Sequence, residues 1–325
     1  MCSSSNVSGF EKEKIAAFNA KFREVSKSPF GESDQIGMLN LMTSDSMRRI
    51  LSEIDGHKVF DLAVDYFIGM PSWVASGEPT YQINVIRAPR GSIVDNYMGA
   101  GRDQNELVGS CGESISMYTH CGTHIDTLCH FGYRGRMWNG FSADEYLGNR
   151  GWTVLGAEKH PPIISRGVLI DIAAAARTDV LPGGHGVGAD EIKEALQRQG
   201  TEVRTGDVVL LRTGRQQLWP DAQAYIDNSP GLNREGAEYL AKAGAITIGA
   251  DTVGLEQGPS ADPENATPVH TYLLAEAGVP IMEVLNLEEL AADSIYEFAF
   301  VGACLRLSGA TGSPIRPIAF PLRKD

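Results

Sequence analysis

The sequence has little basic charge and no long apolar run. Its 28 Lys and Arg are outnumbered by 41 Asp and Glu, so the 325-residue chain carries a net charge of −13. Such a chain repels nucleic acid and anionic membrane surfaces, because basic side chains drive binding to both. No stretch approaches the roughly 18 apolar residues of a membrane-spanning helix, and the first residues lack the pattern of a secretion signal. These absences predict a cytoplasmic protein that acts on a small-molecule substrate and binds neither nucleic acid nor membrane.

Cysteine is also scarce. The chain has five cysteines, an odd number, and no CxxC pair. In a long chain without a secretion signal this excludes a disulfide framework and predicts buried or free thiols. Cys121 and Cys129 stay open as soft metal ligands or nucleophiles, since both lie inside the histidine motif described below.

The chain shows no internal repeat, no low-complexity tract and no composition break. Residues 9–27 carry apolar side chains near helical spacing, which predicts an amphipathic helix within an N-terminal helical extension, residues 1–33. A second helix is predicted over residues 43–54, with Thr43 or Ser44 as its N-cap. Residues 34–325 are predicted to form a single domain.

Apolar runs and helical patterns alternate through that domain and predict an α/β fold with a mixed sheet core. The segment 183–300 alternates most regularly, and parallel strand pairing is expected there. Helices are predicted over residues 189–199, 234–243 and 269–277. Strands are predicted over residues 59–64, 82–86, 115–118, 167–170, 208–211, 245–248, 296–301 and 315–320.

The stretch Thr119–Phe131, THCGTHIDTLCHF, holds three of the seven histidines. In an extended chain His120 and His124 would lie roughly 13 Å apart, too far to bind one ion. In a continuous helix Asp126 would point about 200° away from His124. The chain must therefore bend, and Gly122 is the residue that tolerates a bend. We predict a strand over SISMYT, a tight turn at Gly122, and then the first turn of a helix.

Two imidazoles and a carboxylate brought together by this bend predict a catalytic metal site. His120, His124 and Asp126 are the predicted ligands, with positions left open for water and substrate. An ion of this kind lowers the pKa of water and polarises a carbonyl. His130 follows four residues after Asp126, one helical turn away, and is the predicted acid/base. The predicted cofactor is a divalent ion, zinc or manganese, one or two per chain.

Three aromatic side chains and one arginine are candidate substrate-binding residues. Phe131 and Trp138 lie close to the motif in sequence, and Trp73 lies further away. Aromatic side chains are more often core residues than substrate contacts. Arg212 ends a predicted strand, where it would contact an anionic product or form a structural ion pair.

HCGTHIDTLCH matches the pattern HxGTHxDxxxH of the metal-dependent cyclase family, which includes bacterial kynurenine formamidases and isatin hydrolases. The following CHFGYRGRMWNG and the earlier DQIGMLNLMT resemble the longer members of that family. The region IGADTVGLE and the segment HTYLLAEAGVPIMEVLNL are similar to its strand-end aspartate region and its C-terminal metal segment. The resemblance covers most of residues 34–320.

The resemblance implies a swivelling β/β/α fold and a zinc or manganese centre. His120, His124 and Asp126 would form the first metal set, and His130 would be the acid/base. By the same resemblance His270 and Glu283 would complete the site or bind a second ion. Family members also suggest a homodimer or homotetramer.

The leading hypothesis is a metal-dependent hydrolase that opens a C–N or C–O acyl bond in a small, cyclic or aromatic, amide or lactone. A metal-dependent lyase or cyclase acting through an enolate is the first alternative. A non-catalytic metal- or ligand-binding protein is the second, although such a protein has no need of an acid/base His130.

Overall fold

The structure, a computed structural model, describes residues 24–323. Most of the helix predicted over residues 9–27 lies outside this range, and its described part, residues 24–27, is not helical. The predicted domain division at residue 34 stays a prediction.

Helices flank the sheet and fill the connections. No helix in the described range is long and apolar enough to cross a membrane. The second predicted helix begins after Thr43, whose side chain accepts a hydrogen bond from the backbone of Ser46 as an N-cap. The α-helices are α1 (Ser44–Ser52), α2 (Pro89–Asp95), α3 (Arg102–Leu107), α4 (Ala143–Tyr146), α5 (Ile172–Ala175), α6 (Ala189–Gln199), α7 (Ala222–Ile226), α8 (Arg234–Ala243), α9 (Pro268–His270), which continues as a π-helix (Thr271–Ala277), and α10 (Glu288–Ala292).

Strands form one large mixed sheet and three two-stranded pairs. They are β1 (Phe60–Asp61), β2 (Gln82–Arg87), β3 (Gly112–Ser116), β4 (His124–Asp126), β5 (Leu147–Gly148), β6 (Gly151–Trp152), β7 (Ile163–Asp171), β8 (Gly186–Val187), β9 (Val208–Arg212), β10 (Gly231–Leu232), β11 (Thr247–Ala250), β12 (Ile281–Glu283), β13 (Glu297–Gly302), β14 (Gly312–Pro314) and β15 (Ile318–Pro321). The nine-stranded sheet has the order β1-β15-β13-β7-β9-β11-β12-β4-β14. The predicted α/β fold with a mixed sheet core is confirmed.

The parallel strands lie at the centre of this sheet. β7, β9, β11 and β12 pair in parallel, and every residue of β9 is buried. A strand buried on both faces has a continuous apolar sequence, and the apolar run in VVLLR therefore predicts this strand. Helix α6 packs Ile192 and Leu196 into the same core cluster, and α8 packs Leu240 there. Both helices have the predicted bounds.

The predicted turn at Gly122 is present, but the helix predicted after it is wrong. Gly122 has φ +59°, and a Cβ on it would meet the ring of Tyr66 at 2.5 Å. The next residues form strand β4, which lies between β12 and β14 and pairs antiparallel with both. Hydrogen bonding to two strands from distant parts of the chain overrides the local helical tendency. His124 consequently lies directly opposite Glu283.

Residues 82–116 form a separate element that we call the arm. Its strands β2 and β3 pair with each other in a two-stranded sheet. Helices α2 and α3 lie between them in the chain. The strand predicted over residues 115–118 therefore begins at Gly112 and ends at Ser116, before the histidine motif.

His160 is predicted to make folding acid-sensitive. It is 6% exposed, and neither ring nitrogen has a hydrogen-bond partner within residues 24–323. Burial lowers the pKa of His160 to about 4 from the ordinary 6.5, outweighing the opposing charges of Glu158 and Asp126. The folded chain therefore binds fewer protons than the unfolded chain between these values, and stability is lost as pH falls through this window.

The loss attributable to His160 is roughly 3 kcal/mol. Denaturant unfolding between pH 7 and pH 4 should show His160→Phe losing that much less stability than the wild type. His57→Phe, at a side chain 64% exposed, should follow the wild type. Identical pH curves for the wild type and His160→Phe would contradict this account.

Candidate metal centre

His124 is held so that one ring nitrogen points at two carboxylates. Its Nδ1–H donates to the Gly122 carbonyl at 2.8 Å, which leaves the lone pair of the neutral ring on Nε2. Nε2 lies 3.3 Å from Asp126 Oδ1 and 3.3 Å from Glu283 Oε2. A backbone carbonyl that fixes the tautomer is the usual support of a metal-binding histidine.

His270 reaches the same carboxylates from the other side. Its Nε2 lies 3.1 Å from Glu283 Oε1 and 3.7 Å from Asp126 Oδ2. Its Nδ1 is hydrogen-bonded to Glu256 Oε1, and the backbone N–H groups of Val269 and His270 also donate to the Glu256 carboxylate. Glu256 therefore fixes both the ring and the backbone of His270.

His120 closes the cluster beside Asp126. Its Nδ1 lies 2.6 Å from Asp126 Oδ1, and its Nε2 lies 2.9 Å from Thr311 Oγ1. A side chain at Gly312 would collide with the ring, because a Cβ there would lie 2.4 Å from it. His120, which precedes β4, is thus held against Asp126 at the end of β4.

The donor set fits a divalent cation. His120, His124 and Asp126 place ligand atoms within 4.8 Å of one another, and so do Asp126, His270 and Glu283. Within the described chain, His124 Nε2, Asp126 Oδ2 and Glu283 Oε1 are buried without a hydrogen-bond partner. Unsatisfied polar atoms are costly in a protein interior, and a cation at this point would satisfy all three. Asp126 belongs to both groups, so the cluster fits one ion or a bridged pair.

The electrostatics of the cluster favour positive charge. Burial opposes charge on His124, yet the nearby carboxylates of Asp126 and Glu283 outweigh it and raise the pKa of His124 to about 10. Burial likewise opposes ionisation of Asp126, but the facing imidazoles of His130 and His120 hold its pKa well below the usual value. A bound cation would take the place of the proton on His124.

His130 differs from the other histidines of the cluster. Burial lowers the pKa of His130 to about 3, despite the neighbouring charge of Asp126. Its ring stacks on His120 with centroids 3.7 Å apart, and its Nε2 lies 3.9 Å from Asp126 Oδ2. The expected helical turn is absent. The chain reverses direction after β4 instead, and the ring of His130 reaches the cluster and stacks on that of His120.

The cluster borders a cavity of about 980 Å³. His120, His130, His270 and Glu283 line the cavity, whereas His124 and Asp126 lie fully buried. Phe131 and Trp73, two of the predicted substrate-binding residues, also line it. The described lining contains no Lys or Arg, and Glu78 and Asp227 add negative charge to it.

Trp138 and Arg212 are not among the side chains that line this cavity. Trp138 takes the core role that was its alternative, and Arg212 takes its alternative role in a structural ion pair. Trp138 is fully buried in the main core, and its Nε1–H donates to Asp34 Oδ2 at 2.9 Å. Arg212 bonds Asp171 at 3.0 Å and Glu288 at 2.8 Å. The substrate role predicted for Trp138 rested only on its proximity to the motif in sequence. Arg212 forms ion pairs with neighbouring carboxylates at the end of β9.

Cysteine plays no visible part in the cluster. Burial raises the pKa of Cys121 to about 11 and that of Cys129 to about 12, so both thiols stay protonated. The residue that sequence reasoning missed is Glu256. It lies in the segment IGADTVGLE, but 14 residues separate it from His270, and no local pattern indicates their contact.

Known proteins resemble this chain in sequence and in fold. The family model described as Cyclase matches residues 60–257. This span is more than half of the chain, and the chain belongs to the Cyclase family. A kynurenine formamidase from Bacillus cytotoxicus is 28% identical over 210 residues, which are 64% of this chain and 79% of that protein.

Solved structures share the fold. The crystal structure of a novel cyclase has a TM-score of 0.80 and 25% identity, and covers 92% of this chain and 100% of its own. Isatin hydrolase A from Ralstonia solanacearum has a TM-score of 0.61 and 23% identity, and the match covers 81% of this chain and 92% of that one. The second likeness concerns the fold alone.

Replacing Glu256 should weaken metal binding. Glu256→Gln removes the charged acceptor of His270 Nδ1–H and should lower metal affinity about 10- to 100-fold, because such partners raise the basicity of the ligand ring. Competition with a chromogenic chelator measures this. Glu264→Gln makes the same chemical change at an exposed position and should bind metal as the wild type does. Equal affinities for all three proteins would show that Glu256 does not support the site.

Replacing Gly122 should disturb both fold and site. Gly122→Ala forces a side chain into the Tyr66 ring and a left-handed backbone, so we expect a loss of about 2 kcal/mol or more in unfolding free energy. Gly77→Ala also has a left-handed φ, +88°, but open space around it, and should cost less. Chemical denaturation compares the two variants, and equal costs would show that the Tyr66 contact is unimportant.

Proposed function

We propose that this protein is a metal-dependent hydrolase that opens a C–N or C–O acyl bond of an uncharged, cyclic or aromatic amide or lactone. The observation that carries this is the set of unsatisfied buried atoms of His124, Asp126 and Glu283 beneath an aromatic-walled cavity. The comparisons support it, since relatives are by name a kynurenine formamidase and isatin hydrolases.

His120, His124, Asp126, His270 and Glu283 would hold the ion. When bound, a divalent cation supplies a Lewis acid that polarises a carbonyl and lowers the pKa of water. Three imidazoles with two carboxylates suit zinc or manganese. The small-molecule substrate and the location in the cytoplasm are part of this proposal.

His130 is suited to move the proton. The ring lines the cavity with its Nε2 3.9 Å from Asp126 Oδ2, so Nε2 can accept a proton from water as that water attacks the carbonyl, and the Asp126 carboxylate stabilises the imidazolium that forms. The proton then passes from Nε2 to the leaving nitrogen or oxygen. Stacking on His120 fixes the plane of the ring, so the acceptor nitrogen stays aimed at the cluster.

The cavity favours an uncharged substrate. Its described lining has aromatic side chains, Trp73, Phe131 and Tyr118, but no Lys or Arg. A substrate carboxylate remote from the metal would face Glu78 and Asp227 without a cationic partner, which is unfavourable in a partly desolvated site. The aromatic side chains of the lining instead favour a substrate with a flat ring.

A substrate panel tests the proposal. Chelator-stripped protein should hydrolyse neither formanilide nor isatin, and protein reloaded with zinc or manganese should hydrolyse at least one. 2-Formamidobenzoate, the carboxylated counterpart of formanilide, should react at least tenfold more slowly in kcat/KM. Turnover that survives metal removal would contradict the metal role, and faster turnover of the anion would contradict the uncharged substrate.

The role of His130 has its own test. His130→Asn should lower kcat about 10²- to 10⁴-fold, because an amide cannot accept the proton, while metal content stays that of the wild type. His57→Asn is the control at an exposed histidine. Full activity of His130→Asn would remove it from the mechanism. Solvent deuterium entering a C–H bond, without consumption of water, would favour the lyase alternative.

A further inference from the structure

His120 faces the cluster with a different ring nitrogen from the other candidate histidine ligands. The Nδ1 of His124 is bonded to the Gly122 carbonyl, and its Nε2 faces the carboxylates. The Nδ1 of His270 is bonded to Glu256, and its Nε2 also faces the carboxylates. His120 has the reverse orientation, because its Nδ1 is the nitrogen that lies against a carboxylate oxygen, at 2.6 Å. An ion held by His120 would therefore be bound through Nδ1.

The other ring nitrogen of His120 is held by Thr311. Nε2 lies 2.9 Å from Thr311 Oγ1, and the histidine is 4% exposed. A threonine hydroxyl can both donate and accept a hydrogen bond. While Nδ1–H donates to Asp126, Nε2 can accept from Thr311; once Nδ1 binds an ion, Nε2–H can donate to the same oxygen. Thr311 therefore holds the ring in either tautomer, which a carbonyl or a carboxylate, as an acceptor only, could not do.

The backbone of Thr311 is fixed to the strand that carries Asp126. Strand β14 begins at the next residue, Gly312, which pairs with Asp126 in β4. The backbone N–H and the hydroxyl of Thr127 both donate to the Thr311 carbonyl, at 2.9 and 3.0 Å. The pairing of β4 with β14 thus positions both of the side chains that are hydrogen-bonded to the His120 ring.

Packing restricts the plane of the His120 ring but not which edge faces Asp126. The ring of His130 stacks on it with centroids 3.7 Å apart, and a Cβ at Gly312 would lie 2.4 Å from it. Both contacts would persist if the ring turned over by 180°, because a turned imidazole occupies the same space. The two hydrogen bonds distinguish the orientations. The bond to Asp126 is given up when Nδ1 binds an ion, and the bond to Thr311 then remains.

We infer that Thr311 is a positioning residue for the metal centre, which directs His120 Nδ1 to the ion. The inference rests on the proposed function, because it takes the cluster as the site of the ion. A partner for the outer N–H of a ligand imidazole fixes its tautomer and raises its basicity. Thr311 is not among the described residues that line the cavity, so its effect on the site passes through His120.

Competition between the full chain and a chromogenic chelator for zinc or manganese tests the inference. Thr311→Val keeps the shape of the side chain but removes the hydroxyl, and should lower metal affinity about 10- to 100-fold. Thr311→Ser retains the hydroxyl and should bind metal as the wild type does. Thr205→Val is the matched control, because Thr205 Oγ1 is buried without a hydrogen-bond partner in the described chain, and it should also bind as the wild type does. Wild-type affinity in Thr311→Val, or an equal loss in Thr311→Ser or in Thr205→Val, would overturn the inference.

Nuclear magnetic resonance of the ¹⁵N-labelled imidazoles gives a readout that packing alone would not change. In the zinc-loaded wild type the proton of His120 should lie on Nε2, close to the methyl group of Thr311. In Thr311→Val this proton should exchange faster with water, because it has lost its acceptor. A proton on His120 Nδ1 in the zinc-loaded wild type would overturn the inference. If Thr311→Val does not fold by circular dichroism, Thr311→Ala replaces it with the same expectations.

Metal affinity separates this inference from the proposed hydrolysis. Weakened metal binding in Thr311→Val, with no hydrolysis of any panel substrate by the loaded wild type, would support the role of Thr311 and overturn the hydrolase. Hydrolysis by the loaded wild type, with equal metal affinity in Thr311→Val, would overturn the role of Thr311 alone.

Discussion

The antiparallel pairing of the three-residue strand β4 with β12 is the interaction on which the rest of the site depends. This register sets His124 opposite Glu283, and the alternation of side chains in a strand sends His124 and Asp126 to one face and Ile125 to the other. A register shift of one residue would place Ile125 among the carboxylates and point the side chains of His124 and Asp126 to the opposite face of the sheet. Pairing with β14 on the other edge excludes such a slip.

Sequence reasoning succeeded where the pattern was local and failed where distant strands decide the outcome. The helices Ala189–Gln199 and Arg234–Ala243 and the turn at Gly122 follow from periodicity, caps and a forced bend. The stretch HIDTLCH is too short to distinguish strand from helix, and its partner β12 lies more than 150 residues further along the chain. The sequence left two roles open for Trp138 and Arg212 and gave no sign of Glu256, because the contacts of all three are made by residues distant in the chain.

The site contains a strained backbone residue and buried carboxylates, and both cost folding free energy. Val284, the residue after Glu283, has φ +56°, a strained value for a β-branched residue. Its N–H donates to the Thr252 carbonyl, and its own carbonyl accepts from Thr123 Oγ1 at 2.6 Å. These two bonds hold the strained backbone beside a ligand, as is common where structure is arranged for function. Burying Asp126 and Glu283 together adds an electrostatic cost that a bound cation would offset.

The burial of His124 and Asp126 beneath the cavity has a consequence for the order of events. Both side chains are fully enclosed, while His120, His130, His270 and Glu283 line the cavity. On the proposed function, the ion would lie at the buried end of the site and the substrate in the cavity above it. A substrate in the cavity would then cover the ion, so the ion would bind first and leave last.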